Sequence, residues 1–209
     1  MIDNVCRALG IPCRNVTNEK SAHETNKTLT VDFEYVKKPG SKFYQKEEYN
    51  EDKIWDFHVW NEVWMKRGDV ADSYSGWQAV DSTPQAFSDG LYQCGPMPVA
   101  AIRAGDLRIN YDGWFIYGEV NADIWNWYYD EDSNGNLKLV GMEIDYEKPK
   151  VGQRLITSSL EHPSEAIDIM SSYKAKEGTV EQKVTMLRAL HEVVSSNREY
   201  IFKRNVDES

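Results

Sequence analysis

At 209 residues, with 41% hydrophobic residues and seven tryptophans, the chain has apolar surface enough for a sizeable core in one domain, or one domain with a short tail. Its formal net charge of −10 excludes the clustered Lys and Arg surface that nucleic-acid binding requires, and suits solubility or a divalent cation. No apolar run approaches the roughly 20 residues of a membrane-crossing helix, and no basic-then-apolar segment marks a signal peptide; the expected location is cytoplasmic, with membrane association or export without a signal peptide as alternatives.

Met1 to Gly10 reads as the last turns of a helix stopped by Gly10 and Pro12. A chain that opens inside a helix is expected to be incomplete at its N-terminus. A mixed strand and a turn rich in Asn, Thr and Ser follow over 16–28, and residues 29–36 alternate as a strand. Residues 37–53 form a charged loop around Pro39-Gly40. Two aromatic strands are predicted at 54–65 and 76–82, joined by a loop containing Gly68 and Asp69. Thr83-Pro84-Gln85 closes the second, and Gly95-Pro96 with Pro98 marks an irregular stretch before 99–102.

Further strands are predicted at 107–111, 114–120 and 124–129, with a hairpin turn at Asp132-Ser133-Asn134-Gly135. Between Glu181 and Phe202, the residues Val184, Met186, Leu187, Leu190, Val193 and Val194 recur at helical spacing. The polar residues 203–209 read as a tail without fixed structure. Three cysteines, Cys6, Cys13 and Cys94, form no CxxC pair and read as free thiols in a reducing compartment.

The chemistry-bearing feature is a histidine set among aromatics, Ile54-Trp55-Asp56-Phe57-His58-Val59-Trp60, followed by a strand that ends in Asp81. Histidine is the side chain most easily tuned for proton transfer near neutral pH, and a carboxylate fixes its orientation. If the two strands pair as a hairpin with His58 opposite Asp81, the loop centres between Asp69 and Val70. Glu62 then faces Trp77 and Trp60 faces Ala79. Directly opposed Cβ atoms lie about 4.5–5.5 Å apart, close enough for a carboxylate to accept the imidazole N–H. The alternative is a His and an Asp that merely end buried strands. His23, His162 and His191 have no comparable surroundings and read as ordinary surface or core residues.

Phrases along nearly the whole chain resemble the catalytic core of the animal calcium-dependent transglutaminases. They include Ala8-Leu9-Gly10-Ile11-Pro12, Val16-Thr17-Asn18, Ser21-Ala22-His23, Phe57-His58-Val59-Trp60 and Gly76-Trp77-Gln78-Ala79-Val80-Asp81. Downstream come Thr83-Pro84-Gln85, Cys94-Gly95-Pro96, Glu119-Val120-Asn121-Ala122-Asp123 and Glu177-Gly178. The resemblance implies an α+β, papain-like core with an antiparallel sheet and flanking helices. Residues 1–202 would be its C-terminal two thirds, and 203–209 would lead to a C-terminal β-barrel domain. It also implies a Cys–His–Asp triad that attacks a glutamine carboxamide, releases ammonia and passes the acyl group to a lysine.

In that comparison His58 matches the base, Asp81 the residue that orients it, and Trp55 an aromatic lining the tunnel by which lysine approaches. The implied partners are glutamine-bearing proteins as acyl donors and lysine-bearing proteins or polyamines as acceptors. The family's cysteine stands in a Gly-Gln-Cys-Trp phrase that would fall just before Met1. Cys6 sits at an ordinary packing position, and Cys13 and Cys94 have no base that the sequence places beside them.

The resemblance further implies Ca2+ at two places. One combines Asn121, Asp123 and Glu177 with the backbone near Lys148. Here Gln182 replaces a family Glu, and Glu181 stands beside it. The other combines Glu24, Asn26, Thr28 and Thr30 with Asp52, where the family more often has Asp or Asn at the first three positions. Gln93-Cys94 excludes the vicinal disulfide of some relatives. Two other functions compete with the crosslinking enzyme: a non-catalytic transglutaminase-like scaffold, which needs neither His58 nor Asp81, and a thiol protease on the same core.

Overall fold

The structure, a computed structural model, describes residues 2–83, 87–88, 91–92, 94–145, 151–159, 161–162 and 164–196. Pro84, Gln85, Gln93, Lys148 and the tail at 203–209 lie outside the described residues. Helix α1 (Ile2–Ala8) stops before Gly10, whose φ of 75° is the left-handed conformation that closes a helix end. The strands that follow are β1 (Cys13–His23), β2 (Thr30–Lys37), β3 (Tyr44–Gln45), β4 (Lys53–Met65), β5 (Gly76–Asp81), β6 (Phe87–Ser88), β7 (Leu91–Tyr92) and β8 (Cys94–Pro98). Helices α2 (Val99–Ala104) and α3 (Gly113–Asn121) precede β9 (Asp123–Glu131), β10 (Leu137–Ile144), β11 (Arg154–Ser158) and β12 (Ala166–Asp168). Helix α4 (Val180–Ser196) comes last among the described residues, none of whose helices is long and apolar enough to cross a membrane.

The architecture is α+β with antiparallel sheets and few helices. Six strands in the order β12-β11-β1-β4-β5-β8 form an antiparallel sheet. A second sheet, β10-β9-β2-β3, contains one parallel pair, β2 with β9. β6 and β7 pair separately. From His58 onward, β4 turns His58, Trp60 and Glu62 inward and exposes Phe57 and Val59. His58 among them meets Glu119 of α3, a helix that packs against β1 and β8.

Helix α3 overturns the expectation of a strand at 114–120. Every residue from Gly113 to Val120 is buried. A segment that is apolar all round shows neither the two-residue nor the 3.6-residue alternation, so its pattern does not reveal its geometry. The strand expected at 107–111 is also absent: those residues form the turns that lead into α3.

The hairpin of β4 and β5 is real, but its register differs from the expected one by two residues. Glu62 faces Ala79 and Trp64 faces Trp77, whose rings meet edge to face with centroids 5.3 Å apart. The loop contains a single 3-10 turn at Asp72–Tyr74, which moves its centre to between Val70 and Ala71. A shift of two keeps every side chain on its own face, whereas a shift of one would have inverted the strand.

Beneath β4 runs a buried polar network. Trp60 Nε1 donates to the Tyr173 hydroxyl at 3.1 Å, and that hydroxyl donates to Glu62 Oε1 at 2.6 Å. Arg14 pairs with Glu62 Oε2 at 2.6 Å while lying over the Trp77 ring. Tyr173→Phe would leave the fully buried Glu62 one donor short. It is expected to cost about 1–3 kcal/mol of unfolding free energy, measured by urea denaturation. An unchanged midpoint would show that Arg14 alone satisfies Glu62.

Candidate active site

Three elements bring titratable groups to one point. β4 supplies His58, the end of β5 supplies Asp81, and α3 supplies Glu119. His58 Nε2 lies 2.6 Å from Asp81 Oδ2 and 3.1 Å from Glu119 Oε1. Continuing the ladder beyond Asn61 and Val80 sets Trp60, not His58, beside Asp81, so the contact crosses the hairpin diagonally. Asp81 Oδ1 accepts the backbone N–H of Thr83 at 2.9 Å, which fixes the carboxylate. The Trp55 ring stands 4.5 Å from the imidazole, and Asn18 Nδ2 donates to the Glu119 carbonyl at 2.8 Å, tying α3 to β1.

All three charged groups are buried. Burial alone works against an imidazolium, but hydrogen bonds to Asp81 and Glu119 outweigh it and push the His58 pKa up to about 9. Burial likewise opposes ionisation of Asp81, yet the His58 contact holds its carboxyl below the ordinary range. For Glu119, burial wins over His58 and raises its pKa to about 8. The cluster thus holds protons more tightly than its members do in water.

The second polar turn builds an oxygen-lined cavity of about 330 Å³, bordered by Asn26, Asp32, Glu34, Glu48, Glu51 and Asp52 among others. Asp52 accepts from Thr25 N (2.9 Å), Thr25 Oγ1 (2.7 Å) and Asp32 N (3.0 Å). Thr28 Oγ1 donates to Asn26 Oδ1 at 2.6 Å and lies 2.8 Å from Thr30 Oγ1. Glu24 stands behind the wall. Its Oε1 accepts from Thr28 N at 2.5 Å and its Oε2 is buried without a hydrogen bond. Burial, with Asp52 and Asp32 nearby, raises the Glu24 pKa to about 8. Oxygen donors, surplus negative charge and an orphaned carboxylate fit a hard cation such as Ca2+. The carboxylates of Asp32, Glu34, Glu48 and Glu51 at this cavity were not singled out from the sequence.

The other expected cation position is less well gathered. Asp123 and Glu177 both act on the buried Tyr117 hydroxyl, whose pKa burial and these two charges push up. Asn121 ends α3 with its Nδ2 buried and without a hydrogen bond. Lys174 Nζ fills the vicinity, donating to Glu177 Oε1 (3.1 Å), Val120 O (3.1 Å) and Val151 O (3.3 Å). Glu181 turns instead to Arg103 at 2.8 Å, and Gln182 to Met186 Sδ at 3.4 Å, so neither joins the group. An ion here has two carboxylates and one amide rather than the five side chains expected.

A family profile described as the Transglutaminase-like superfamily matches residues 4–82, a span that includes both His58 and Asp81. The chain is 42% identical over 205 residues to hemocyte protein-glutamine gamma-glutamyltransferase of Tachypleus tridentatus, covering 96% of this chain and 25% of that protein. It is 40% identical over 212 residues to annulin of Schistocerca americana, and 42% identical over 200 residues to protein-glutamine gamma-glutamyltransferase 4 of Homo sapiens. The crystal structure of red sea bream transglutaminase matches with a TM-score of 0.67 at 34% identity, covering 88% of this chain and 26% of that one. Along nearly its whole length the chain is similar to transglutaminases. It spans about a quarter of the length of the curated relatives it matches.

Two further side chains near His58 leave no mark in the sequence pattern. Glu119 was quoted only as part of a phrase, because a Glu in an otherwise apolar run carries no periodic signal. His23, read as ordinary, packs against Trp55 at 5.1 Å and Phe115 at 6.5 Å with its Nδ1 buried and unpaired. Burial lowers its pKa, so it favours the neutral ring. Of the cysteines, Cys13 is buried and its thiol is pushed up to about 11 by burial and by Cys6, the opposite of an activated nucleophile. The backbone of Cys94 pairs with that of Asp81 across β5 and β8, a neighbour the sequence had not placed.

The pH dependence of stability follows from the cluster. His58 titrates near 9 folded against 6.5 in its ordinary state, and Glu119 near 8 against 4.5, so unfolding releases protons from both. Their stabilisation is complete below the ordinary values and is lost as pH rises through the folded ones. The depressed Asp81 acts only below its ordinary value of 3.8, outside this window. In chelator, the chain should lose stability from pH 4.5 to 9, and Glu119→Gln should flatten the portion below 8, read by urea denaturation at several pH values. Identical pH slopes for wild type and variant would contradict the assignment.

Proposed function

We propose that this chain carries the base, the orienting carboxylate and the calcium-responsive part of a protein-glutamine gamma-glutamyltransferase. The observation that carries this reading is the buried 2.6 Å contact between His58 and Asp81, held on neighbouring strands. A scaffold gains nothing from burying an imidazole against two carboxylates, whereas acyl transfer needs such a group. Residues 1–202 then form the later part of a catalytic core. The nucleophile comes from a Gly-Gln-Cys-Trp segment outside these 209 residues.

The high proton affinity of His58 suits the imidazolium partner of a thiolate. The thiolate attacks the glutamine carboxamide carbon, and His58 gives its proton to the departing nitrogen, which leaves as ammonia. His58, now neutral, takes a proton from the incoming lysine or polyamine nitrogen as that nitrogen attacks the thioester. The isopeptide bond forms, the thiolate departs, and the imidazolium is restored. Asp81 keeps the ring oriented and compensates its charge throughout. Trp55, flanking the ring, lines the approach of the amine. Ca2+ would be held by Asp52, Asp32 and Asn26 at the cavity and by Asp123 and Glu177 at the other position, where it would supply charge compensation.

Two experiments test this. The 209-residue chain alone should incorporate no fluorescent amine into a glutamine-bearing protein. Joined to an upstream Gly-Gln-Cys-Trp segment of its family, it should do so only with calcium. There His58→Ala should reduce the rate by at least about 10³-fold, and full activity of that variant would remove His58 from the mechanism. Calcium calorimetry on the 209-residue chain should show Asp52→Asn weakening the cavity site by about tenfold or more, with Glu177→Ala affecting a separate event. Binding isotherms unchanged in both variants would refute both cation positions.

A further inference from the structure

Glu119 is the polar anomaly of the molecule. It is 1% exposed, neither carboxylate oxygen has a well-directed hydrogen bond among the described residues, and the cationic atom beside it there is His58 Nε2, 3.1 Å from Oε1. A buried group left unsatisfied in this way calls for a physical explanation. An orienting carboxylate for the imidazole already exists in Asp81, so the histidine does not require a second one. What Glu119 adds is a third donor: His58 Nε2, an Asp81 oxygen and a Glu119 oxygen all lie within 4.8 Å of one another.

We propose that His58, Asp81 and Glu119 form a site for a single four-coordinate transition-metal dication of the Zn2+ type, which bridges the three donors and silences the base.

Donor chemistry selects the ion. One imidazole and two carboxylates suit Zn2+ or Co2+, while Ca2+ takes six to eight oxygens and finds only two side chains that offer them here. Charge also matches, because a neutral imidazole and two carboxylates total −2, which a dication cancels in a dry pocket. The geometry is close. A tetrahedral ion about 2.05 Å from each donor holds donors about 3.3 Å apart, so the present 2.6 Å and 3.1 Å separations must open by less than about 1 Å.

Supports for the ligands are already in place. Thr83 N holds Asp81 Oδ1, and Asn18 anchors the α3 backbone at Glu119. The half-buried Trp55 lies beside the ring, where the fourth, water-bearing position would be reached. Metal at Nε2, the nitrogen that Asp81 otherwise holds, confines the ring's remaining proton to Nδ1, so the ring has no lone pair left to accept another. That regulatory consequence rests on the acyl-transfer reading; the binding itself does not.

The test uses the 209-residue chain. Zn2+ is titrated against a chromophoric chelator, Co2+ binding is followed by its visible spectrum, and the His58 ring is followed by NMR across pH. One Zn2+ per chain, tetrahedral Co2+ bands and a His58 ring that stops titrating are expected, with no displacement by excess Ca2+. Glu119→Gln and His58→Gln should each weaken Zn2+ binding by about 100-fold, since even losing a partner behind a ligand costs about 10–100-fold. Glu119→Gln keeps the side-chain shape and removes a buried carboxyl, so folding is not at risk. Equal affinity in wild type and Glu119→Gln would overturn the proposal. So would a thiolate charge-transfer band, which would place the ion on a cysteine. None of these readings depends on amine incorporation, so the metal site and the transferase reading fail separately.

Discussion

Polar groups turned into a dry layer must find partners there, and this requirement organises the molecule. β4 sends His58, Trp60 and Glu62 inward, two of them ionisable, toward a layer whose helix α3 is buried from Gly113 to Val120. Each needs a dedicated counterpart, and the fold supplies them from distant chain positions. Tyr173 and Arg14 serve Glu62, Asp81 and Glu119 serve His58, and Asn18 ties the α3 backbone to β1. These contacts specify where α3 and Tyr173, just after the 3-10 turn Met170–Ser172, must sit, since a displacement of either would strand a buried charge. The six-stranded sheet gives the frame, but the polar partners fix the depth and rotation of what packs on it.

The same constraint accounts for the electrostatic character of the site. An imidazole against one carboxylate would be a balanced pair. Against two it becomes a proton trap, and the ring keeps its proton above neutral pH. A thiolate brought to such a ring would meet an imidazolium rather than a neutral base. The cavity around Asp52 shows the converse case, an excess of carboxylates with too few cations, so that burial drives Glu24 toward its protonated form.

Much of this was legible in the chain, and the failures have identifiable causes. The aromatic strands at 53–65 and 76–81 and the hairpin after residue 131 announce themselves by alternation and turn chemistry. The pairing of His58 with Asp81 was also readable, although through a register two residues out. The face was right because the error was even, and the diagonal contact absorbed the difference. Helix α3 was misread because a uniformly buried segment has no polar side to mark its period. β11 and β12 were not anticipated: β12 is three exposed residues, and β11, although it alternates buried Leu155 and Thr157 with more exposed positions, is only five residues long and leans on β1. Glu119 and the Lys174 contacts depend on partners tens of residues away, which local patterns do not encode.

Lys174 illustrates what such a long-range contact does mechanically. Its ammonium is a tethered cation seated among oxygens from the C-terminal turn of α3, from residue 151 and from the approach to α4. A flexible side chain thereby works as a rivet through three layers that share no strand. Because Val120 directly follows Glu119, the rivet also clamps the helix turn that aims the third donor at His58. A disturbance in the segment before α4 is therefore delivered to the imidazole through one peptide unit, so the remote end of the chain bears on the geometry of the site without touching it.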